Sequence, residues 1–341
     1  MKTLVAAVLP AAQFALLHAD PVPDALPPLP DPLGVAGPFA GTTPGGLIVA
    51  GGAHFPQAMP WEGGKKVWSD RIWRLEKPDG PWSRAGSLPR PLGYGVSIST
   101  DDGVWCLGGS DATRHYAECF RLSWKDGALS VLSGPSLPIP LAHASGALVE
   151  GRIVIAGGSE TPGEQTASTR IFALDPANPH SWSELPPLPG PGRFLAAAAA
   201  VGPEFFLLGG ATPVPGPDGK AVRRFLKETW VLTAGKWRTG PDLPRPLAAA
   251  PTPCPVVDGE IFLCGGDDGS LVGFQPPEKH PGFCKTVFAY RPGDPAWRDA
   301  GTLPTAQVTT TCLHWQDGWI VPSGEVRPGV RTPLIRRLRW P

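Results

Sequence analysis

The feature of this sequence that most constrains its fold is a short apolar run ending in a small-residue doublet, which recurs six times. Five copies end in Gly-Gly and the sixth in Ser-Gly, and successive doublets are 49 to 58 residues apart. The runs are "LIVAGG", "WCLGG", "IVIAGG", "FFLLGG", "IFLCGG" and "WIVPSG", and they end at Gly52, Gly109, Gly158, Gly210, Gly266 and Gly324. Self-similarity at a fixed period indicates an architecture built from repeated supersecondary units.

A second marker, the dipeptide Leu-Pro, has the same period as the doublets. Its leucines are Leu29, Leu88, Leu137, Leu188, Leu243 and Leu303. Each period also contains a small-residue segment before the apolar run, an aromatic segment such as "ETWVL" after it, and a Trp segment such as "GKWRTG". Four short strands in about 50 residues match one blade of a kelch propeller. The sequence therefore predicts an all-β, six-bladed, kelch-type β-propeller that forms a single domain over residues 20–341.

The two ends of the chain each carry part of one blade. The sixth repeat finishes with "PLIRRLRWP" and has no fourth strand, whereas the N-terminal segment reaches Leu29 before the first complete blade begins. We predict that the ring closes by pairing the N- and C-terminal strands in one blade, which covers both sheet edges. The segment "DPVPDAL" at residues 20–26 has two prolines and no Trp, a composition that disfavours a regular strand.

The N-terminal nineteen residues, "MKTLVAAVLPAAQFALLHA", have one Lys, an apolar stretch and a small residue before Asp20. This pattern is typical of a secretory signal peptide and predicts a periplasmic or secreted protein, or a cytoplasmic one if the segment is not cleaved. The stretch is too short and too interrupted to span a bilayer, and we expect no membrane span elsewhere.

Thirty basic residues balance thirty acidic ones without a basic patch, so no nucleic-acid partner is expected. Nothing in the sequence indicates an oligomeric state.

The six cysteines have no Cys-x-x-Cys pair and no nearby His at metal-ligand spacing, so we expect no metal site. In an oxidising compartment Cys106 could pair with Cys119, or Cys264 with Cys284, because each pair falls on strands predicted to be neighbours. Free buried thiols are the favoured interpretation, since a chain of this size does not need disulfides to hold its core.

The loops that follow the doublets should gather at one mouth of the central channel. The sixth loop, in "SGEVRPGVRT", is the most compact, because Glu325 directly follows the doublet and Arg327 and Arg331 flank a Pro-Gly turn. A carboxylate at a strand end can exchange a proton, and guanidinium groups can bind the carboxylate of a ligand. An equally open alternative is a surface turn in which Glu and Arg merely pair.

Four stretches of the sequence resemble the N-acetylneuraminate epimerase family, the kelch-type sialic acid mutarotases. They are "LPPLPDPLGVAGPFAGTTPGGLIVAGGAHFP", "GGKKVWSDRIW", "GYGVS" and "SGEVRPGVRT". In the best-known members the Glu loop lies in the middle of the chain, whereas here it lies in the last blade. The chain thus resembles the cyclically permuted branch of the family, and permutation is tolerated by a closed ring because its contacts do not depend on where the chain is cut.

The resemblance implies an isomerase that interconverts the α and β anomers of sialic acid by opening and closing the sugar ring, without cofactor or metal. It matches the family's catalytic pair to Glu325, as the base, and Arg331, as the group that holds the substrate carboxylate or steadies charge at the reacting oxygen. Arg327 and Lys66 are predicted as substrate-binding residues. Ser323 departs from the family pattern, which often has Asn there. The group that protonates the ring oxygen is not identified by the sequence.

Other functions are compatible with the same fold. A non-catalytic kelch propeller that binds a protein or glycan through its loops is the main alternative, since a fold does not determine function. A copper oxidase built on a kelch propeller would need a Tyr and His ligand set, and the chain has only Tyr94, Tyr116 and Tyr290. A sialidase would need aspartate-box repeats and a nucleophilic Tyr, and no such repeat is present.

Overall fold

A computed structural model describes residues 22–340 of the chain. Within that range the chain forms six four-stranded antiparallel sheets, the six blades of a β-propeller, so the predicted fold is confirmed. The predicted signal segment lies outside the described residues. No helix in this range is long and apolar enough to cross a membrane.

Five blades are continuous in sequence, and in each the strands pair in chain order from the innermost to the outermost. Blade 1 comprises Phe39–Thr43, Gly46–Ala50, Arg71–Leu75 and Trp82–Ser87. Blade 2 comprises Val96–Thr100, Gly103–Leu107, Cys119–Lys125 and Ala128–Gly134. Blade 3 comprises Ser145–Val149, Arg152–Ala156, Ile171–Leu174 and Ser183–Leu185. Blade 4 comprises Ala197–Val201, Glu204–Leu208, Thr229–Thr233 and Lys236–Thr239. Blade 5 comprises Val256–Val257, Glu260–Gly266, Cys284–Tyr290 and Arg298–Thr302.

Blade 6 is assembled from both ends of the described chain. Its inner strands are Leu313–Trp315, Gly318–Pro322 and Ile335–Arg339, and its outermost strand is Val22–Leu26. Val22–Leu26 pairs antiparallel with Ile335–Arg339, so the predicted closure is confirmed. Pro23, in this strand, is tolerated because an outermost strand pairs on one side only and does not need every N–H group.

Three two-stranded hairpins and two short 3-10 turns lie in the loops outside the blades. The hairpins pair Ala53–His54 with Val67–Trp68, Ala211–Pro215 with Ala221–Phe225, and Glu325–Arg327 with Val330–Arg331. The 3-10 turns are Pro60–Glu62 and Pro277–Lys279. Each hairpin follows directly on a glycine doublet, in blades 1, 4 and 6.

A closed ring of backbone hydrogen bonds surrounds the propeller axis. In every blade the residue two or more positions before the innermost strand donates its N–H to the carbonyl oxygen of the equivalent residue in the preceding blade, at 2.7–2.9 Å. These residues all have positive φ, and they are Gly37, Tyr94, His143, Leu195, Ala249 and Thr309. Because the bond from Gly37 to Thr309 joins blades 1 and 6, the ring is complete. We refer to these six residues as the axial ring.

Steric crowding explains why the doublets consist of glycine. The first doublet residue of every blade has a φ between 55° and 72°, a region that glycine occupies without cost. At Gly51 a Cβ atom would lie 2.2 Å from the carbonyl oxygen of Leu92 in the next blade. Ser323 takes this position in blade 6 with a φ of 58°, and its hydroxyl compensates by bonding across the blade boundary. The doublets therefore let neighbouring blades approach closely near the axis.

The Leu-Pro and Trp markers share a period because the Trp side chain binds the segment that leads into the Leu-Pro dipeptide. In blades 1, 3, 4 and 5 a Trp at or next to the start of the outermost strand donates its indole N–H to a Pro carbonyl oxygen two residues before the leucine, at 2.8–3.1 Å. The pairs are Trp82 with Pro27, Trp182 with Pro135, Trp237 with Pro186, and Trp297 with Pro241. All six Leu-Pro leucines are buried. Each of these Trp side chains thus fastens its blade to the segment that enters it.

All six cysteines are free thiols. Cys106 and Cys119 do lie on neighbouring strands of blade 2, as expected, and five of the six are buried. In residues 22–340 no group of three His, Cys, Asp or Glu side chains is arranged to hold a metal ion.

Candidate active site

A polar cavity of about 210 Å³ lies where the loops after the doublets gather around the axis. Its floor contains five axial-ring residues, Tyr94, His143, Leu195, Ala249 and Thr309. Its charged lining residues come from five different blades, and they are Lys66, Glu164, Arg223, Asp267 and Glu325. The sequence-based expectation that these loops would line one mouth of the channel is therefore met by the geometry of this cavity.

Glu325 is held in place by its own hairpin. Glu325 and Arg331 are paired across the two strands, and Gly329 turns the chain between them with a φ of 79°. The Arg331 Nη2 atom lies 3.3 Å from Glu325 Oε1, and the Gly329 N–H donates to Glu325 Oε2 at 3.1 Å. With 16% of its side chain exposed, the carboxylate is fixed at both oxygens while it still lines the cavity.

Arg331 lies behind Glu325 and not among the residues that line the cavity. Its side chain is only 3% exposed, its Nε donates to the Ala53 carbonyl oxygen at 3.2 Å, and its guanidinium covers the Phe55 ring at 4.6 Å. It borders a smaller recess, of about 110 Å³, together with His54. The structure places the Arg331 guanidinium next to Glu325, where it can orient that carboxylate.

The other two predicted site residues, Lys66 and Arg327, lie in different places. Lys66 lines the cavity, with its Nζ 5.1 Å from the centre of the Tyr94 ring and 5.6 Å from that of Trp68. Arg327 points away and donates from Nη1 to the carbonyl oxygen of Glu278, in blade 5, at 2.6 Å. The structure thus brings Lys66 and Glu325 to one cavity, places Arg331 next to Glu325, and leaves Arg327 outside.

Ser323 anchors both ends of the Glu325 hairpin to blade 1. Its fully buried hydroxyl accepts the Val35 N–H at 2.8 Å and lies 2.9 Å and 2.7 Å from the carbonyl oxygens of Val35 and Thr332. The Gly324 N–H also donates to the Val35 carbonyl, at 2.8 Å. The residue that departs from the expected pattern therefore fixes the strand end from which Glu325 projects.

Two charged groups of the cavity that the sequence interpretation missed form an ion pair. Arg223, in the blade 4 hairpin, makes two hydrogen bonds to the Glu164 carboxylate, in the blade 3 loop, at 2.7 Å and 2.8 Å. The two residues are 59 positions apart in long loops, and no local pattern connects them. Asp267 was also missed, although a signal existed, because it directly follows the fifth doublet as Glu325 follows the sixth.

His143 lies on the floor of the cavity, in contact with Tyr94 at a ring distance of 4.9 Å. Burial, together with the nearby His115, Arg223 and Lys66, lowers the pKa of His143 to about 3. The imidazole is therefore neutral at pH 7 and adds no charge to the floor of the cavity.

Comparisons with known proteins agree with the resemblance seen in the sequence. Residues 21–131, which include blade 1 and most of blade 2, match the family model described as N-acetylneuraminate epimerase. That segment contains Lys66 but not the loop of Glu325. The chain is similar in structure to the solved structure of YjhT, with a TM-score of 0.66 and 15% identity over 90% of this chain and 95% of that one. At that identity the likeness concerns the fold.

Curated relatives named N-acetylneuraminate epimerase match part of the chain. The Yersinia enterocolitica protein is 42% identical over 107 residues, 28% of this chain and 26% of the relative. The Salmonella enteritidis protein is 40% identical over 119 residues, 31% of this chain and 30% of the relative. The Escherichia coli O6:H1 protein, N-acetylneuraminate epimerase 1, is 41% identical over 93 residues, 25% of this chain and 24% of the relative. The matched segments thus cover less than a third of these relatives, and the cyclic permutation stays a prediction.

Proposed function

We propose that this chain, which is related to the N-acetylneuraminate epimerase family, is a mutarotase that interconverts the α and β anomers of N-acetylneuraminate, sialic acid. One observation carries the proposal: Glu325, fixed at both oxygens by Arg331 and Gly329, lines a cavity that also contains the Lys66 ammonium. A fixed carboxylate and a nearby cation suit a reaction that moves a proton on an anionic sugar.

The chemistry needs a base and an acid. The anomeric carbon of sialic acid bears a carboxylate and no hydrogen, so the ring can open only through its hydroxyl and its ring oxygen. Glu325 takes the proton of the anomeric hydroxyl, the bond from the anomeric carbon to the ring oxygen breaks, and the ring oxygen gains a proton. Closure of the ketone on its other face reverses both transfers and gives the second anomer.

The resemblance gave Arg331 two possible roles, holding the substrate carboxylate and steadying charge. The positions of Arg331 and Lys66 favour a different residue for each role. Arg331 is buried behind Glu325, so we assign it the orientation of that carboxylate and the stabilisation of its charge. Lys66 is assigned the substrate carboxylate, because it lines the cavity and forms no ion pair with a residue in the range 22–340. Arg327 has no role in this scheme.

The lining beside Asp267 supports a substrate with an apolar substituent. A recess of about 370 Å³ shares Asp267 and Pro328 with the cavity and is lined by Leu271, Val272 and Phe274 of the blade 5 loop. The methyl of an N-acetyl group is the part of sialic acid that such a recess would accept.

The finer assignments belong to the same proposal. The repeats are of the kelch type, the blade order is the cyclically permuted one, and the N-terminal segment directs the protein to the periplasm or out of the cell. The repeat spacing, the position of the Glu325 loop in the last blade, and the composition of residues 1–19 support these three statements respectively.

The test is the rate at which fresh α-sialic acid equilibrates, followed by proton NMR. The wild type should accelerate the exchange of sialic acid more than that of a neutral aldose, and Glu325→Gln should lower the enzymatic rate about 10²- to 10⁴-fold. Glu278→Gln is the matched control, since Glu278 is exposed and does not line the cavity. If the wild type accelerates neither sugar, the mutarotase proposal is wrong and the non-catalytic propeller is favoured.

A further inference from the structure

We propose that Asp267 is the second acid–base residue of this cavity, which gives a proton to the ring oxygen of the sugar while Glu325 removes one from the anomeric hydroxyl. This inference rests on the proposed mutarotase function and names the partner that the sequence left unidentified.

The propeller repeat places Asp267 and Glu325 at equivalent positions. In every blade the residue after the doublet forms a backbone bridge with the residue immediately before that blade's axial-ring residue. The bridges are Ala36 with Ala53, Gly93 with Ser110, Ala142 with Ser159, Phe194 with Ala211, Ala248 with Asp267, and Val308 with Glu325. Only the last two bridges carry a carboxyl group, and blades 5 and 6 are neighbours. Both carboxyl groups line the same cavity, which is the arrangement that paired proton transfers require.

The two carboxyl groups have different surroundings. The Glu325 carboxylate is paired with Arg331, whereas the Asp267 carboxyl group forms no ion pair with any residue in the range 22–340 and accepts one hydrogen bond, from the Gly269 N–H at 3.0 Å. Burial raises the pKa of the Asp267 carboxyl above its ordinary value, against the opposing effect of the Gly269 hydrogen bond. A pair of carboxyl groups in which one is ion-paired and the other is partly buried without an ion-pair partner divides into a base and an acid.

The other charges near Asp267 come from neighbouring loops. Arg223 and His280 favour its ionised form, and Asp268 opposes it. Arg223 is already bonded to Glu164, and Asp268 is bonded to Arg245 at 3.2 Å, so both charges are partly neutralised by partners of their own. Lys66 and Glu325 complete the set of charged groups that share the cavity with Asp267.

The proton balance of one cycle closes on these two residues. In ring opening, the Glu325 carboxylate gains the proton of the anomeric hydroxyl, and protonated Asp267 loses its proton to the ring oxygen as the carbon–oxygen bond breaks. In ring closure, the new hydroxyl returns its proton to Asp267 as it attacks the ketone, and Glu325 returns its proton to the ketone oxygen. No oxidant, reductant or further reactant is consumed.

The experiment is the pH dependence of kcat/KM for anomer exchange in the wild type, Asp267→Asn and Asp268→Asn. The wild type should lose activity on the alkaline side, where Asp267 is deprotonated. Asp267→Asn keeps the size of the side chain and an acceptor for the Gly269 N–H, yet it should reduce kcat about 10²- to 10⁴-fold, leave KM within a few-fold, and abolish the alkaline decline. Asp268→Asn should retain the rate and the alkaline decline of the wild type.

Each outcome has one meaning. A wild type that exchanges no sugar overturns the mutarotase proposal itself. An active wild type with an equally active Asp267→Asn overturns only the role of Asp267, and so does an Asp267→Asn of reduced rate that keeps the alkaline decline. Asp267→Glu provides a second variant if the Asn protein fails to fold, and it should retain partial activity with a displaced alkaline decline.

Discussion

At the scale of single residues, the cavity uses its charged groups unequally. Glu164 and Arg223 neutralise each other, and Arg331 neutralises Glu325 from behind. Of the two cations that line the cavity, Lys66 is therefore the one that no described acidic residue engages. Its contacts are the Tyr94 and Trp68 rings, which can hold an ammonium group without cancelling its charge.

Lys66→Met should weaken the binding of an anionic sugar. We expect KM for sialic acid to rise about tenfold or more, because a lost charge-assisted contact costs roughly 1.5–3 kcal/mol. Lys65→Met is the matched control, since Lys65 is exposed and does not line the cavity. Steady-state kinetics with sialic acid and a neutral aldose would decide: equal losses with both sugars would contradict the carboxylate-binding role.

At the scale of elements, the closing strand is held by charges as well as by its hydrogen-bond ladder. Asp24, on Val22–Leu26, accepts hydrogen bonds from Arg337 Nε at 2.9 Å and Nη2 at 2.8 Å, and from Arg339 Nη2 at 2.6 Å. Both arginines lie on Ile335–Arg339, the strand that the closing strand pairs with. The same arginines also bind Asp317, in the turn between the two innermost strands of blade 6.

This network should make blade closure dependent on pH. The hydrogen bond from Arg337 lowers the pKa of Asp24 below its ordinary value. A lowered folded-state pKa stabilises the protein above the unfolded-state pKa, and the gain is lost as the pH falls through the folded-state value. Asp24→Asn should therefore lower the free energy of unfolding by about 1 kcal/mol at pH 7, and the difference from the wild type should shrink below about pH 4.

Urea unfolding at several pH values would measure this effect. Asp317→Asn is the control, because Asp317 binds the same arginines but does not lie on the closing strand and is more exposed, at 58% against 31% for Asp24. The explanation fails if the Asp317 variant loses as much stability as the Asp24 variant, or if the Asp24 difference persists unchanged in acid.

At the scale of the whole molecule, we expect closure to make the six blades unfold as one cooperative unit. Axial-ring residues of neighbouring blades are joined by a backbone hydrogen bond at every blade boundary. In addition, a buried apolar cluster joins blade 6 to blade 1. That cluster includes Leu26 of the closing strand and Ile335 of its partner strand, together with Leu47 and Leu75 of blade 1. The closing strand thus contributes to the core between blades and does not only cover an edge.

Leu26→Ala should destabilise the entire propeller. Leu26 is 5% exposed, and truncating a buried leucine costs about 2–5 kcal/mol. Leu132→Ala, on the outermost strand of blade 2 with 42% exposure, should cost much less. Far-UV circular dichroism and Trp fluorescence should report one coincident transition for each variant; separate transitions for Leu26→Ala would mean that blade 6 opens alone.

Some features of this fold can be predicted from the sequence because they depend on local sterics repeated six times. The first doublet residue must take a positive φ close to a neighbouring carbonyl, and this requirement leaves glycine at five of six positions. The Leu-Pro and Trp positions have the same period because, in blades 1, 3, 4 and 5, the Trp indole binds the segment just before the Leu-Pro dipeptide. The closing strand was harder to predict, because prolines argue against a strand. That argument fails for an outermost strand, which pairs on one side only.

The sequence by itself thus determined the number of blades, the meeting of the chain ends in blade 6, and the position of Glu325 directly after the sixth doublet with Arg331 across the hairpin. Lys66 was a candidate from the sequence, but only the tertiary structure showed that it shares a cavity with Glu325 and added Glu164, Arg223 and Asp267 to that cavity. These four residues come from loops of unequal length in four other blades, and Arg327, two residues from Glu325, turns outward to Glu278. The physical reason is that strand and turn geometry is local, whereas the path of a loop over the mouth depends on contacts between blades distant in sequence.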